Sequence, residues 1–590
     1  MLAASMAMES VSPVISWDAL QDAVNEASRR RFCMSSVDEL DAVQQVLQVG
    51  LALLNEATNA RLAISKLPPE ILTHIFSMVP RDLPSHGIAH LEAKQTYDLV
   101  PLTHVCRRWR DIALSASPLW STVCETLPSH VASHAFRARA RHVPLTVYVD
   151  RPYPSAALRS LLATDGKHVA ELELHDLQEL PPHQLASELL SFSAPSLERV
   201  VVHSRAARVL HEHPSVDTSN AVQLCRGDTP RLKHLEFHDI PFLPANHFAA
   251  LTDLSLSYYD SPIAWALDDL LGLLSRSPML QKVRLDGLPC DLHLRQFTSS
   301  SAVELPHLKS LEIGDCLGYL SPVPTLRLLL SHVTLPPDAS VRIYGVEACR
   351  ISGTVELSPT PEDWSTLDIN MTFSTLTLVL SRPLSPATFS LQLNTGGTST
   401  ALLEHAVTGF IRDNANPHIR TVTISSQRGW SSWCDPRALF SALPGVEVLE
   451  VGECYLVPPL LDALRPLGAE ASHPEDRQLL CPNLSTLRLP PVAVSATSEL
   501  LAYLLESRAA AGAPLQFPDA SSMPSVPSSA EAKQPAAFEL VDISQASRME
   551  TARAPTPAPY ADEQGMAYPG APMIPADALS HLGFYFMSDY

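Results

Sequence analysis

Leu308-Lys-Ser-Leu311-Glu-Ile313-Gly-Asp-Cys316 places apolar residues at positions 0, +3 and +5 and a cysteine at +8. Val446-Glu-Val-Leu449-Glu-Val451-Gly-Glu-Cys454 repeats the arrangement. Positions +3 and +5 are two residues apart, so in an extended chain both side chains fall on one face of a strand. The cysteine then stands where the strand turns away, small enough to pack and polar enough to meet free backbone groups. Seven further segments keep the three apolar positions: Val169, Leu172, Leu174; Leu197, Val200, Val202; Leu232, Leu235, Phe237; Leu251, Leu254, Leu256; Leu280, Val283, Leu285; Ile419, Val422, Ile424; and Leu484, Leu487, Leu489. A proline stands two residues before the first position in six of the nine copies, at Pro195, Pro230, Pro278, Pro306, Pro444 and Pro482.

The template resembles that of leucine-rich repeats. First positions at 251, 280 and 308 lie 29 and then 28 residues apart, whereas 232 to 251 spans 19 and 446 to 484 spans 38. Helix-like runs such as Trp265–Leu274 separate the copies. One strand–loop–helix unit cannot bury its apolar face alone, but stacked units can. The resemblance implies an irregular, leucine-rich-repeat-like α/β solenoid over residues 144–512; an ordinary α/β domain with amphipathic strands is the alternative. Residues 334–400 fit the template poorly, with strands expected at Ser340–Tyr344 and Ser374–Leu380, in a repeat that either continues in degenerate form or is interrupted there.

Towards the N-terminus the periodicity changes. Ser36-Val-Asp-Glu39 has the form of a helix capping box. Leu40, Val43, Leu47, Leu51 and Leu54 follow at helical spacing, giving an amphipathic helix over 36–62. Its apolar stripe needs a partner, either the next segment of this chain or a second chain in a short coiled coil. Residues 1–35 read as disordered. Ser65-Lys-Leu-Pro-Pro-Glu70 then has a cap candidate and two prolines suited to a first helical turn. A second helical stretch is expected over Leu102–Ala113, and Pro118-Leu119-Trp120 follows. Three small helices bury little surface by themselves, so an exposed apolar face carrying Leu67, Pro68, Leu119 and Trp120 is expected to dock a partner.

These residues resemble the F-box family. Its pattern stands here as Leu67-Pro68-Pro69-Glu70-Ile71-Leu72, Ile75-Phe76, Val105-Cys106-Arg107-Arg108-Trp109-Arg110 and Leu119-Trp120. The lengthened loop from Pro80 to Asp98 departs from it and resembles the expanded loop of F-box proteins of mushroom-type fungi. The resemblance implies a three-helix F-box over 63–125 that docks the Skp adaptor subunit of a cullin–RING ubiquitin ligase. Leu67, Pro68, Ile71, Leu72, Ile75, Trp109, Leu119 and Trp120 would form the docking surface or its supporting core. The repeats would then hold a target protein, and ubiquitin transfer would be carried out by partner subunits.

Composition narrows the remaining classes. The 590 residues include 42 Lys plus Arg against 63 Asp plus Glu, a formal net charge of −21, which makes nucleic acid a poor default partner. The local basic stretch Arg137, Arg139, Arg141 reads as a solvated face. Ten cysteines contain no C-x-x-C pair, so neither a zinc ribbon nor a dense disulfide framework is expected. Without a secretory leader or an apolar run of about 18 residues, the chain is expected to be soluble and intracellular, cytoplasmic or nuclear, with no membrane partner. A tail from 513 onward, rich in Pro, Ala and Ser, reads as disordered.

No cofactor is expected. Gly166-Lys167 lacks the first glycine of a phosphate loop. His130 and His134, and likewise His211 and His213, lack metal-ligand company and read as surface residues. Gly314-Asp-Cys316-Leu-Gly318 has the outline of a nucleophile elbow, but the repeat template already accounts for Cys316. The fold expected is therefore α plus α/β: a helix and a three-helix F-box, then the solenoid, then a disordered tail. The function expected is a non-catalytic substrate-recognition adaptor, with a ligase-independent interaction scaffold as the rival.

Overall fold

The computed structural model describes residues 37–79, 96–124, 130–150, 155–177, 185–204, 222–259, 265–290, 302–314, 321–350, 364–383, 385–396, 398–414, 418–427, 433–465, 479–490, 493–494 and 497–515, with isolated positions 21–22, 25–26, 29, 292 and 429. Expectations for the rest of 1–35, for Ser36, for residues 80–95, for His211, His213 and Cys316, and for the tail beyond 515 lie outside the described residues. The isolated positions before residue 30 are helical, where sequence suggests irregular chain.

The nine template copies all become strands. β1 (Thr122–Cys124) and β2 (Leu145–Asp150) precede them. β3 (Val169–Leu177), β4 (Arg199–Ser204), β5 (His234–His238), β6 (Asp253–Ser257) and β7 (Lys282–Asp286) follow in order. A short β8 (Val303–Glu304) precedes β9 (Ser310–Gly314) and pairs with β10 (Val333–Thr334) in a two-stranded sheet of its own. The large sheet then continues through β11 (Ser340–Glu347).

From β1 to β11 the large sheet is parallel, and the template sets its register. Leu172, Val200, Leu235, Leu254, Val283, Leu311 and Val341 stand opposite one another across successive strands, as do Leu174, Val202, Phe237, Leu256, Leu285, Ile313 and Ile343. All are buried. A one-residue slip would send each row to the opposite face, so the rows hold one another in place.

The prolines before the strands also have a structural reason. In each of the six copies, the amide of the first template residue donates to the carbonyl three residues earlier, as Leu197 does to Ala194 and Leu308 to Leu305. Proline occupies the second position of that turn, where its fixed φ is already correct. Helices cover the apolar side of the strands. Leu267–Ser275 lies between β6 and β7, Val323–Ser331 between β9 and β11, and Thr400–Asn414, Pro436–Ser441 and Val457–Ala463 alternate with the later strands. The short interval from 232 to 251 connects β5 to β6 with no regular helix.

Residues 334–400 are an interruption rather than a degenerate continuation. β12 (Thr366–Met371), β13 (Thr375–Ser381) and β14 (Thr388–Asn394) form an antiparallel meander. Its ends join the parallel halves, β14 beside β11 and β12 beside β15 (Thr421–Ser426). β16 (Val448–Val451) and β17 (Thr486–Arg488) complete a fifteen-stranded sheet in the order β1-β2-β3-β4-β5-β6-β7-β9-β11-β14-β13-β12-β15-β16-β17. The last helix, Ser498–Ala510, buries Arg508 against this end. Its guanidinium donates to the carbonyls of Leu480 (3.0 Å) and Cys481 (2.8 Å), in the turn that launches β17.

The N-terminal helices bear on the sequence reading at three points. The Val37–Arg61 helix forms, but Leu47, Leu51 and Leu54 are exposed, so this chain does not cover its apolar stripe at those positions. The stretch expected as one helix over 102–113 is two, Leu102–Val105 and Arg107–Ser115. Cys106 is extended between them, and its Sγ accepts from the Trp109 amide at 3.5 Å. A cysteine thus caps the second helix as a serine would. Lastly, the basic stretch at 137–141 is not simply solvated. Arg137 pairs with Asp165, and the Arg139 guanidinium lies 4.6 Å from the centre of the Trp120 ring.

Candidate protein-interaction sites

The helix Pro69–Ser77 sorts its apolar residues between two faces. Leu72 and Phe76, four apart, point into the core, and Phe76 packs on Trp109 with ring centres 5.0 Å apart. Ile71 and Met78, seven apart, lie on the other side, while Leu67, in extended chain before the helix, packs partly against the core. Ile71 is 47% exposed and Met78 62% exposed, while Leu67 and Ile75 are half-buried and Pro68 is exposed. Val105, at the end of the neighbouring short helix, is 49% exposed. Arg108 fixes the approach to the helix by donating to the Leu67 carbonyl at 2.6 Å.

Leu119 and Trp120 are not on this surface. Both are buried, Trp120 completely, which corrects the expectation of an exposed face. The Trp120 indole donates to the Ala113 carbonyl at 2.7 Å and packs against Phe136 at 4.9 Å between ring centres. Two residues later the chain enters β1, which pairs with β2. One contiguous apolar cluster consequently runs from Leu72 through Trp120 to Leu504. Trp109 is half-buried, a support for the first helix more than a surface group.

The second surface is the side of the large sheet that faces away from the core. It carries the residues between the template positions: Glu171, Glu173 and His175 from β3; Arg199, Val201 and His203 from β4; His234, Glu236 and His238 from β5; Arg284 and Asp286 from β7; and Arg342 and Tyr344 from β11. Asp286 is buried on this side and organises its middle. It accepts from Arg284 Nε at 2.7 Å, from Ser257 Oγ at 3.4 Å and from the Tyr344 hydroxyl two strands away. Burial raises the Tyr344 phenol above its ordinary value, and donation to Asp286 raises it further. Burial lowers the Arg284 guanidinium, but the Asp286 charge outweighs it and leaves the group firmly protonated. Gly314, on the strand between, allows this reach, since a Cβ there would overlap the Tyr344 ring and stand 2.7 Å from Asp286 Oδ1. That is a structural role for the first glycine of the elbow-like stretch.

At the β3–β5 end the surface carries a ladder of rings. Tyr148, His175, His203 and His238 sit on adjacent strands, with successive ring centres 5.2, 4.7 and 3.8 Å apart. Glu236 accepts from His238 Nε2 at 2.7 Å and from His234 Nε2 at 3.2 Å. Burial pushes its carboxyl up, but those two hydrogen bonds and the nearby imidazoles outweigh burial and hold it well below the usual range. His203 is lowered from 6.5 to about 2, first by burial and then by His238 and His175 beside it. The reading of isolated histidines missed this cluster. The signal was present, however: His175, His203 and His238 all stand at position +6 of consecutive template copies.

The other singled-out residues gain no chemistry from the structure. Gly166 sits in a short turn where a Cβ would strike the Phe192 ring, and Lys167 beside it is exposed. His134 is exposed on the helix His130–Ala140. Cys454 is exposed at the start of a one-turn helix, so it does not pack as the template suggests. Among the described residues, no helix is long and apolar enough to cross a membrane.

The helical segment matches a known family. Residues 64–126 match the F-box-like family. The chain carries an F-box-like domain. The match begins at the turn before Leu67 and ends just past β1, so the F-box-like domain includes the first strand of the large sheet. No curated protein and no solved structure matches the chain. F-box domains bind Skp adaptors and typically belong to non-catalytic adaptor subunits of ubiquitin ligases.

Proposed function

We propose that this protein is the substrate-recognition subunit of a Skp–cullin–F-box ubiquitin ligase. The F-box-like domain docks the Skp adaptor through Leu67, Pro68, Ile71 and Ile75, with Leu72, Trp109, Leu119 and Trp120 as the supporting core. The sheet and helices of 144–512, read as an irregular leucine-rich-repeat-like solenoid, hold a target protein on the polar side. The chain supplies no transfer chemistry; it raises the effective concentration of the target at the partner enzyme.

The observation that carries the reading is the apolar exposure of Ile71 on the F-box-like helix, 47% open although its neighbour Leu72 is wholly buried. An apolar patch left open on a small helical unit is where a partner is expected to dock. The rival reading, a scaffold outside any ligase, calls for this surface to be covered by residues 36–62. Ile71 and Met78 instead remain open, 47% and 62% exposed.

The test is a pull-down of a purified Skp adaptor by the full chain, beside the Leu67→Ala, Pro68→Ala double variant. The full chain is required because β1 and Trp120 belong to the core of the sheet. Capture lost in the double variant supports the adaptor role. No capture by the folded wild type overturns it and puts the scaffold first.

A further inference from the structure

The ring ladder at the β3–β5 end contains more donor chemistry than a protein-binding face requires. His203 and His238 are register partners on adjacent parallel strands. Glu236 lies two residues before His238, hence on the same side of the sheet. The donor atoms of His203, Glu236 and His238 all lie within 4.8 Å of one another. A second observation points the same way. His175, only 2% exposed, sits beside His203, and neither of its ring nitrogens has a hydrogen-bond partner. The neighbouring carboxylate oxygen, Glu173 Oε2, is 3.6 Å from its Nε2. A buried imidazole without a hydrogen bond carries a desolvation penalty that a ligand would relieve.

We propose that His203, His238 and Glu236, with the buried His175 beside them, form a binding site for one divalent transition-metal ion of the zinc class. The donor set of imidazoles and one carboxylate suits such ions and not calcium or magnesium, which take oxygen ligands. The assignment is independent of any ligase role and goes beyond it.

The geometry also says how the site would close. The His203 and His238 rings are stacked, 10° apart in plane. Two parallel rings cannot both aim an in-plane lone pair at one ion, so one must turn about its Cβ–Cγ bond. His203 is enclosed, whereas the His238 side chain is 23% exposed, so His238 is the ring that would turn. Turning His238 gives up its hydrogen bond to Glu236, and the ion then satisfies both groups. His234 remains on the second carboxylate oxygen and orients it, the usual outer-shell arrangement. An ion here would tie β4 and β5 together.

The experiment is calorimetric titration of the metal-free full chain with Zn²⁺, repeated with Co²⁺ and read by absorption. One ion per chain is expected, with a rise in Tm on binding. His203→Gln and Glu236→Gln put polar side chains of similar size in place, and each should weaken binding by more than about tenfold. His142→Ala, an exposed histidine away from the ladder, should leave binding unchanged. If the folded His203→Gln and Glu236→Gln proteins bind zinc as tightly as wild type, or if His142→Ala removes the binding, the site is not this one. Absence of any saturable zinc binding by wild type overturns the proposal outright.

Discussion

The F-box-like helices and the large sheet treat their apolar residues differently. Along the sheet, the three apolar positions of all nine template copies are buried. In the helix Pro69–Ser77 the same kind of residue is divided, with Leu72 and Phe76 inside and Ile71 outside. A strand alternates sides every residue, so a sheet can commit one face wholly to the core. A short helix with only two inward positions retains apolar groups to offer a partner. The outer side of the sheet offers the opposite chemistry: charge, hydroxyl and imidazole. Recognition at the helices would rest on apolar burial, and at the sheet on charge and hydrogen-bond pattern.

The joint between the regions should be the most sensitive point. Trp120→Ala removes the indole that packs on Phe136 and bonds Ala113, and should cost about 3–5 kcal/mol in urea unfolding. A cost near zero would mean that the two regions are packed independently. Gly287 follows β7 at φ +72, and a Cβ there would run into the Tyr258 carbonyl, so Gly287→Ala should cost about 1–3 kcal/mol. Arg508→Leu leaves the carbonyls of Leu480 and Cys481 without their donor and should cost about 1–3 kcal/mol, read in the same assay.

A smaller effect depends on pH. His203 titrates at about 2 in the folded protein against 6.5 ordinarily. Below pH 6.5 the unfolded chain takes up a proton that the folded chain refuses, so stability is lost as pH falls towards 2. The slope from this group is at most about 1.4 kcal/mol per pH unit. Glu236, depressed below its ordinary 4.5, adds a further loss only below that pH. Unfolding of His203→Gln should therefore be flatter than wild type between pH 6.5 and 4.5. Equal slopes would remove His203 from the account. The smallest effect belongs to the surface: Leu51→Glu on the exposed helix should change stability by less than about 0.5 kcal/mol. A larger loss would show that this stripe is covered.

Much of the sheet was legible because its template is strict. Leu311 and Ile313, or Leu449 and Val451, identify strand, face and register together, and Pro306 or Pro444 marks the turn before them. The meander β12–β14 was not, because Leu376, Leu378 and Leu380 alternate in the same way whether their neighbours run parallel or antiparallel. The helix break at Cys106 was hidden in a motif read for its family resemblance rather than for capping. Burial of Leu119 and Trp120 depends on Phe136 and β1, which lie past the motif's end. The ladder was missed because its histidines are 28 and 35 residues apart and become neighbours only when the template copies are aligned.

The open side of the F-box-like helix is expected to be a docking surface. Calorimetric titration of the full chain with a Skp adaptor, wild type against Ile71→Glu, tests it most directly. One-to-one binding is expected for wild type. Ile71→Glu should weaken it by at least about thirtyfold, the equivalent of about 2 kcal/mol at a central apolar contact, with unfolding unchanged. Equal affinity for the two proteins, or no binding by wild type, would contradict it.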